Sequence, residues 1–429
     1  MKPKLRTFAV LGCAALCALS FTACDAGKST ELGKPAKTEP LSYGNELYTE
    51  SFTAFKGKAE DFATRFATGV YEDYEKNDNF TVSPVSVFTA LSLAAECAGG
   101  DTRGEILSAL GVTYDELQAN FPTFYRSLIR DSKSSVVNLT NSIWVNEGTP
   151  VKQECINTLS DTFYSYSYAA DFLHDNKNAN KAIRKFVKDQ TKGVIDYDFQ
   201  LSTETLFTLI NTLYLKAIWN NYGRDLPMTD NAYTFTAKDG STTTKKLVQG
   251  YYFGGKAYEA EEYSAFYTQT SNGYKLKFLL PKDGHGVDEV FTAENLATVN
   301  AIKDYGSFDE ENNIAYETRC FFPEYKCTYN GDLTSVLKEK FGITTLFGEG
   351  CDFSTLTDAP CYCSEIQHVT NLVVDKKGIE GAAVVYIPGA GAAAPMKTVY
   401  ADFIIDRAFG FIITDQQGVT LFSGVVNNI

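Results

Sequence analysis

Two serines and a histidine have the side-chain chemistry that a hydrolase needs. Ser83 and Ser86 stand three residues apart, and His368 lies in the last quarter of the chain. A histidine can act as the base that activates a serine for acyl transfer. However, no Gly-x-Ser-x-Gly turn accompanies either serine, and a single histidine on a strand is more often a core residue with satisfied hydrogen bonds. The sequence therefore predicts no catalytic residues.

The cysteines and histidines do not form a metal-binding pattern. The chain contains 10 Cys and 3 His, and the Cys spacings match no zinc site. Cys361 and Cys363 would point the same way along an extended segment, which disfavours a disulfide between them. We therefore expect no metal and no cofactor, and we expect most cysteines to be small buried hydrophobic residues.

A stretch of small apolar residues near the C-terminus has the pattern of a strand. Its first alternating set is Ile379, Gly381, Ala383, Val385 and Ile387. Its second set is Glu380, Ala382, Val384, Tyr386 and Pro388. Because the first set is wholly apolar and mostly small, such a strand could slide between two existing strands without a clash. The alternative is a small-residue linker that never enters a sheet.

Composition and charge limit the classes of protein to which the chain could belong. Of 429 residues, 44% are hydrophobic and 14% aromatic, which excludes a disordered or collagen-like chain. The 53 acidic and 39 basic residues give a net charge of −14, which repels phosphate backbones. We therefore expect no nucleic-acid partner.

The N-terminus has the features of a bacterial export signal. Basic residues at 2, 4 and 6 precede a mostly apolar run over 8–21, which is shorter than the about 20 residues that a membrane span needs. The run ends in Phe-Thr-Ala-Cys at 21–24, which resembles a lipoprotein processing site with Cys24 as the lipidated residue. An ordinary signal peptide is the alternative.

These features predict three segments: a signal peptide at 1–23, a lipidated cysteine with a flexible tether at 24–45, and one folded domain at 46–429. The tether prediction rests on the polar composition of 25–45. The predicted product is an exported lipoprotein on the cell surface or facing the periplasm, or a released soluble form, whose only membrane contact is the lipid.

Helices are predicted mainly in the first half of the folded domain and strands mainly in the second half. The predicted helices cover 47–76, a segment opening at Pro84 and ending at 99–100, 102–110, 114–129, 178–191 and 333–347. The predicted strands cover 79–83, 136–145, 206–219, several short pieces in 231–280, 368–374, 409–414 and 419–425. This order favours a single α+β domain.

Eight sequence blocks, in order along the chain, resemble the serpins, a family of serine protease inhibitors. They are NFTVSPVS at 79–86, NSIWV at 141–145, IRKFVKDQTKGVI at 183–195, LINTLYLKAIW at 209–219, FPEY at 322–325, LTSVLKEKFGITTLFGEGCDF at 333–353, DRAF at 406–409 and LFSGVVN at 421–427. Leu215, Ala217 and Ala408 stand where the family usually has Phe, Gly and Pro. The resemblance covers about residues 47–429. It implies helices packed around a large central β-sheet, smaller sheets, and an exposed reactive-centre loop at about 378–402.

The resemblance also implies a function without catalysis by this chain. A serine protease attacks the loop and forms an acyl-enzyme, after which the cut loop inserts as a new central strand and distorts the protease. The implied protein is a monomer and a suicide-substrate inhibitor, and its partners are serine proteases. The alternatives are a non-inhibitory serpin that acts as a binding module, and a protease substrate or decoy.

Several positions match functional positions of the family. The shutter, which closes the central sheet, matches Ser83, Ser86, Asn211 and His368. The breach, where insertion begins, matches Trp219. The hinge of the loop matches Gly378, Ile379, Glu380, Gly381, Ala382 and Ala383.

Two ways of counting place the cleaved bond differently. Counting from Gly378 gives Ala392–Ala393, which suits elastase-like or subtilisin-like proteases. Counting back from Phe409 gives Lys397–Thr398, and cleavage after Met396 or Lys397 would suit chymotrypsin-like or trypsin-like proteases. The count from Gly378 is preferred, because the length of the loop determines whether insertion finishes before the acyl-enzyme is hydrolysed.

Two further features bear on activity. Pro388 lacks an N–H, so it would interrupt a ladder and favour the substrate pathway. The helical stretch 114–129 has a single Arg and no basic stripe, so no polyanionic activator is expected there.

Overall fold

The computed structural model describes residues 27–74, 78–221, 224–303, 305–309, 311–348, 350–360, 363, 366–379 and 397–429. The predicted signal peptide and Cys24 lie outside the described residues. So do the hinge residues Glu380, Gly381, Ala382 and Ala383, together with Pro388, Ala392, Ala393 and Met396.

Six of the nine helices in the described residues correspond to predicted helices, and those at Gln153–Asp161, Val287–Val290 and Ala293–Ala301 were not predicted. The nine helices are α1 (Glu50–Asp73), α2 (Pro84–Cys97), α3 (Gly100–Leu110), α4 (Tyr114–Leu128), α5 (Gln153–Asp161), α6 (Asn176–Gln190), α7 (Val287–Val290), α8 (Ala293–Ala301) and α9 (Thr334–Phe341). The helix predicted over 333–347 is interrupted, because Gly342 takes a left-handed conformation that ends α9, and a short 3-10 turn follows at Thr345–Phe347. None of these helices is long and apolar enough to cross a membrane.

Twenty strands are described. They are β1 (Thr30–Gly33), β2 (Phe80–Val82), β3 (Arg130–Asp131), β4 (Ser135–Asn146), β5 (Ser165–Ala170), β6 (Phe207–Ile218), β7 (Tyr233–Thr236), β8 (Thr242–Lys245), β9 (Val248–Gly254), β10 (Tyr258–Glu259), β11 (Tyr263–Gln269), β12 (Lys275–Pro281), β13 (Phe308–Asp309), β14 (Ile314–Phe322), β15 (Tyr325–Asp332), β16 (Gln367–Asp375), β17 (Gly378–Ile379), β18 (Lys397–Ile404), β19 (Phe409–Thr414) and β20 (Thr420–Val426).

The strands form one large sheet, two smaller sheets and a hairpin. The large sheet has the order β1–β5–β4–β6–β17–β16–β15, with β3 also paired to β4. The second sheet has the order β10–β11–β12–β19–β20–β2, and the third joins β13, β14 and β18, with β9 also paired to β14. The remaining pair is the β7–β8 hairpin. The predicted α+β architecture is confirmed.

The core is formed where α1 and α2 pack between the sheets. Nearly every residue of α2 is buried, which agrees with its mostly apolar sequence. In α1 the phenylalanines recur at helical spacing and are buried, and Phe62 and Phe66 both contact the ring of Phe341. The position of α2 under the large sheet brings its first turn close to β16.

The prediction of a flexible tether over 24–45 was wrong for Thr30–Gly33, which form the edge strand β1. This strand pairs antiparallel with β5, with Thr30 opposite Ala169. Leu41 is also buried, and its backbone N–H donates to the carbonyl oxygen of Arg126 over 2.8 Å. Strand pairing uses backbone groups that every residue type carries, so the polar composition did not reveal it.

Candidate functional site: the slot between β6 and β16

The central feature of the large sheet is a pair of parallel strands joined by a very short third strand. β17 pairs antiparallel with both β6 and β16, so that Ile379 lies opposite Ala217 on one side and Val374 on the other. In the described part of the chain, β6 and β16 make no direct ladder with each other. We call the space between them, from β17 to the start of both strands, the slot.

The chain enters the slot through a close backbone approach at Gly378. A Cβ atom at this position would lie 2.2 Å from the carbonyl oxygen of Ala217, so a side chain could not be accommodated without moving the strand. The next residue, Ile379, is 0% exposed, which places the first apolar residue of the predicted alternating set in the core.

Trp219, the predicted breach residue, lies at this same end of the slot. Its indole Nε1–H donates to the carbonyl oxygen of Asp375 over 2.6 Å, and its ring packs edge-on against Phe322. The Asp375 carboxylate in turn accepts the backbone N–H groups of Lys377 and Gly378, at 2.7 and 3.2 Å. These bonds fix the tight turn from β16 into β17. Sequence reasoning missed Asp375, although an Asp before Lys-Lys-Gly is a turn signal.

At the opposite end of the slot, three of the four predicted shutter residues meet. The backbone N–H of Ser83 donates to Nε2 of His368 over 3.0 Å. The Ser83 hydroxyl oxygen lies 2.9 Å from that of Ser86 and 2.8 Å from the carbonyl oxygen of Leu421. These contacts connect α2, β16 and β20 at one point.

The imidazole of His368 is held neutral. Burial lowers its pKa to about 3, because a charged ring there would lose its hydration. Since Nε2 accepts a hydrogen bond, the single proton of the neutral ring lies on Nδ1. The rings of Phe66 and Tyr329 pack around it, with centroids 6.1 and 5.9 Å away.

This geometry does not suit catalysis by His368. Its acceptor nitrogen is occupied by a backbone N–H, and the Ser83 hydroxyl is directed at a carbonyl oxygen and another hydroxyl. A serine nucleophile needs a hydrogen bond to its base. The described shutter residues therefore form a structural junction.

The fourth shutter residue, Asn211, lies on the other wall of the slot. Its amide donates to Oγ1 of Thr89 over 2.9 Å and to the side-chain oxygen of Asn141. Its own side-chain oxygen is buried and has no partner among the described residues. Asn211, Ser86 and His368 line one cavity between β6 and β16. The shutter residues therefore face each other across the slot, and no hydrogen bond between Asn211 and His368 joins its two walls.

Sequence reasoning missed two residues of β16 that anchor this wall. The hydroxyl of Thr370 donates to the carbonyl oxygen of Thr81 over 2.6 Å, and the amide of Asn371 donates to the carbonyl oxygen of Val194 over 3.1 Å. The two neighbours point to opposite faces of the sheet, one toward β2 and one toward the segment after α6. Polar residues inside an otherwise apolar strand were the available signal.

No group of three or more metal-ligating side chains occurs in the described ranges. Of the six described cysteines, five are buried and Cys351 is half-buried. Burial raises the pKa of the Cys320 and Cys327 thiols well above their usual value, so these two thiols are unreactive.

In the described residues, the two central parallel strands of the large sheet are therefore joined only by the two-residue strand β17. Comparisons with known proteins identify the class of protein that has this fold. A sequence model of the family described as Serpin (serine protease inhibitor) matches residues 58–429. The chain belongs to the serpin family.

Similarity to individual relatives is moderate and spans nearly the whole chain. The chain is 24% identical to alpha-1-antiproteinase of Rattus norvegicus over 382 residues, covering 84% of this chain and 87% of the relative. It is 25% identical to neuroserpin of Homo sapiens over 371 residues, covering 82% and 86%.

Solved structures share the fold. The native state of the thermophilic serpin tengpin matches with a TM-score of 0.72 at 23% identity, covering 92% of this chain and 98% of tengpin. Serpin48 of the insect Tenebrio molitor matches with a TM-score of 0.73 at 22% identity, covering 88% and 98%. Thyroxine-binding globulin in complex with thyroxine matches with a TM-score of 0.72 at 23% identity, covering 87% and 98%.

Proposed function

We propose that this serpin is a suicide-substrate inhibitor of serine proteases, with elastase-like or subtilisin-like enzymes as its targets. The observation that carries the proposal is β17, whose two residues already lie between β6 and β16. A loop cut downstream of Ile379 could continue this strand into the slot.

The register of β17 specifies where each inserted residue would lie. Since β17 runs antiparallel to both neighbours, each further residue steps back by one on β6 and on β16. Positions 381, 383 and 385 would then lie opposite Leu215, Leu213 and Asn211 of β6, on the same face as buried Ile379. The small apolar set predicted from the sequence is the set that this face requires.

The same register gives Glu380 a compatible neighbour. It would lie opposite Lys216 of β6, whose side chain is only partly buried, on the face away from α2. Opposite charges on directly paired strands are stabilising. The one charged residue near the hinge would therefore not oppose insertion.

Pro388 would lie at a position where its missing N–H removes few hydrogen bonds from an inserted strand. If the loop continued β17, position 386 would lie opposite Gln367, the first residue of β16, and position 388 opposite Thr208 near the start of β6. Beyond position 386, an inserted strand has a partner on β6 alone. The missing N–H of Pro388 would thus cost at most one ladder bond, and insertion of the residues before it would be complete.

The position of β18 favours Ala392–Ala393 over the alternative bond. Lys397 and Thr398 pair with Ile314 and Ala315 of β14, inside a sheet. A protease needs its substrate extended and free of other pairing, so a bond held in β18 is a poor target. A loop cut after Ala392 would carry 14 residues beyond Gly378, which span about 46 Å when extended.

A covalent trapping experiment tests the proposal. Residues 25–429 are mixed with pancreatic elastase, and products are separated on denaturing gels while the released C-terminal peptide is weighed by mass spectrometry. We expect a band of summed mass that survives boiling in SDS, and a peptide beginning at Ala393. The matched variant Ala392→Arg should lose the complex with elastase and gain a complex with trypsin. The reason is that the residue before the cut bond determines which protease attacks it.

Two other results would lead to different conclusions. A trypsin complex with the unchanged chain, together with a peptide beginning at Thr398, would move the bond to Lys397–Thr398. Elastase, trypsin, chymotrypsin and subtilisin could all cleave the chain completely without forming a stable complex. That result would exclude the inhibitory function and leave a protease decoy or a binding module as the alternatives.

We further propose that Cys24 carries a lipid anchor after removal of residues 1–23, and that the protein acts as an exported monomer. The proposal is supported by the basic start, the short apolar run and the small residues before Cys24.

A further inference from the structure

The first described residues of the chain lie directly on helix α6. The carbonyl oxygen of Asn178 accepts the backbone N–H of Lys28 over 3.2 Å. A Cβ atom at Gly27 would lie 2.3 Å from the backbone nitrogen of Ala182, so only a glycine can approach the helix this closely. Gly27 is three residues after Cys24, and three residues span at most about 11 Å. A lipid on Cys24 would therefore bring the first half of α6 to the membrane surface.

The face of α6 that points away from the large sheet is basic in its first half. The opposite face is buried, and there the Phe186 ring packs edge-on against the ring of Trp144. Lys177 and Lys181 are four residues apart and therefore share the outer face. No acidic residue lies on the helix before Asp189. The first half of α6 thus presents two lysines and no carboxylate.

The cations in the second half of α6 have acidic neighbours. Arg184 and Lys188 form ion pairs with Asp196, at 2.7 and 2.8 Å, and Lys185 forms an ion pair with Asp189. Among the described residues, the excess of basic over acidic side chains on this helix is therefore confined to its first half, which is the half that Gly27 contacts.

An exposed leucine lies beside these lysines. Leu173 is 54% exposed, and it is the only leucine that is exposed in the described ranges. The side-chain oxygen of Asn146 accepts the backbone N–H groups of Phe172 and Leu173, at 3.0 and 3.3 Å, which fixes the turn before α6. Because Phe172 is 0% exposed, its neighbour Leu173 is directed outward. Two residues further on, Asp175 lies 4.0 Å from the Lys28 ammonium, so the leucine is close to the start of the described chain.

Together these side chains have the chemistry of a membrane-facing surface. We call the group the anchor face: Lys28, Leu173, Lys177 and Lys181. Basic side chains attract anionic lipid headgroups, and an exposed leucine can bury its apolar atoms at the boundary between headgroups and acyl chains. The net charge of −14 does not prevent this contact, because charges more than about 8 Å from the membrane are largely screened at physiological ionic strength.

We propose that the anchor face lies on an anionic phospholipid bilayer and holds the folded body in one orientation; this rests on the proposed lipid anchor at Cys24. A lipid alone attaches the chain at one point, about which the body can pivot. The anchor face supplies a second point of attachment next to the first. The two together direct the β1 end of the large sheet toward the membrane and Gly378 away from it.

Quenching of tryptophan fluorescence by brominated lipid tests this contact. The variant Leu173→Trp is expressed as a lipoprotein and incorporated into vesicles of brominated phosphatidylglycerol. The natural Trp144 and Trp219 are both 1% exposed, and the unsubstituted chain gives their contribution. We expect strong quenching of the added tryptophan. A tryptophan that replaces Tyr400, which is 59% exposed on β18 of the third sheet, should keep its emission.

Reversal of the two lysine charges tests the electrostatic part of the proposal. Adding Lys177→Glu and Lys181→Glu to Leu173→Trp should raise the emission on these vesicles by about threefold, because the anchor face would be repelled. The matched control adds Lys245→Glu and Lys246→Glu, which change the net charge equally at exposed positions at the end of β8. The control should change the emission by less than about 1.5-fold.

Two results on the vesicles would overturn the proposal. Equal quenching in the charge-reversed variant and in its control would show that the lysines do not contact the lipid. Equal quenching of tryptophans at 173 and 400 would show that the body has no fixed orientation.

The anchor and the anchor face can fail separately. If the intact mass shows that Cys24 carries no lipid, the proposed anchor is wrong, and the anchor face is tested by sedimentation of the unlipidated chain with phosphatidylglycerol vesicles at low salt. A bound fraction that falls by about tenfold in Lys177→Glu/Lys181→Glu, and not in Lys245→Glu/Lys246→Glu, supports the surface. A bound fraction that is absent, or equal in both variants, overturns it.

Discussion

At the scale of single residues, His368 shows how burial determines a role. The sequence left two interpretations of His368, a core histidine or a residue of the shutter, and the structure shows features of both. It is neutral, packed between two rings, and bonded to the backbone where α2 begins. Its neutrality has a consequence for stability that can be measured.

We predict that His368 makes the protein less stable in mild acid. Its pKa is about 3 when folded and about 6.5 when unfolded, so between these values the unfolded chain binds more protons. The stabilisation is complete above pH 6.5 and is lost as the pH falls toward 3. Between pH 7 and pH 5 the loss is about 2 kcal/mol in the free energy of unfolding, measured by urea denaturation.

The variant His368→Gln serves as the comparison, because its side-chain oxygen can still accept the N–H of Ser83. Burial raises the pKa of Glu60 to about 7, which gives a slope of the opposite sign, but Glu60 is the same in both proteins. The difference between them therefore isolates the histidine. Equal pH slopes in the two proteins would show that His368 is not held neutral by the fold.

At the scale of elements, the pairing of β17 determines which side chains of an inserted loop strand would face the core. The sequence predicted that the apolar set beginning with Ile379 would be the one to enter a sheet. Ile379 is buried between Ala217 and Val374, and in a strand that continued β17 every second residue after it would share that face.

A swap of two residues tests this orientation at constant composition and charge. The single variant Glu380→Ala should still trap the protease, since the register of β17 would turn an inserted Glu380 away from the core. The double variant Glu380→Ala/Ala383→Glu should become a plain substrate, because insertion would bury an unpaired carboxylate, which costs several kcal/mol. The readout is the ratio of trapped complex to cleaved chain on denaturing gels.

We expect that ratio to fall by at least tenfold in the double variant and by less than twofold in the single one. Equal trapping by both variants would mean that insertion does not follow the register of β17.

At the scale of the whole molecule, strand register places Thr30 of β1 and the start of the loop at Gly378 at opposite ends of the large sheet. Thr30 pairs with Ala169, which lies beside Val145 of β4 and hence beside Phe207, the first residue of β6. The loop enters at the other end of β6, eleven residues away at about 3.3 Å each. With β1 fixed in the sheet, five residues separate Cys24 from Thr30, which is at most about 20 Å of chain.

A lipid at Cys24 would therefore hold the body close to the membrane with the loop directed outward. We predict that the full chain, expressed in a bacterium that processes lipoproteins, fractionates with membranes and that its loop remains open to added elastase. The variant Cys24→Ala should move to the soluble fraction and be cut at the same rate. Membrane association that survives this substitution would exclude the lipid anchor.

The sequence by itself determined the class of fold, the order of most helices and strands, and the family, because hydrophobic periodicity and residue blocks are local properties of the chain. It also identified Ser83, Ser86, His368 and Trp219, which the structure places at the two ends of the slot. It did not reveal β1, whose pairing depends on backbone groups, or the separation of Asn211 from the other shutter residues. The contact between the rings of Tyr252 and Tyr400 was likewise decided only by tertiary structure, since β9 and β18 meet through their pairing with β14, which depends on contacts distant in sequence.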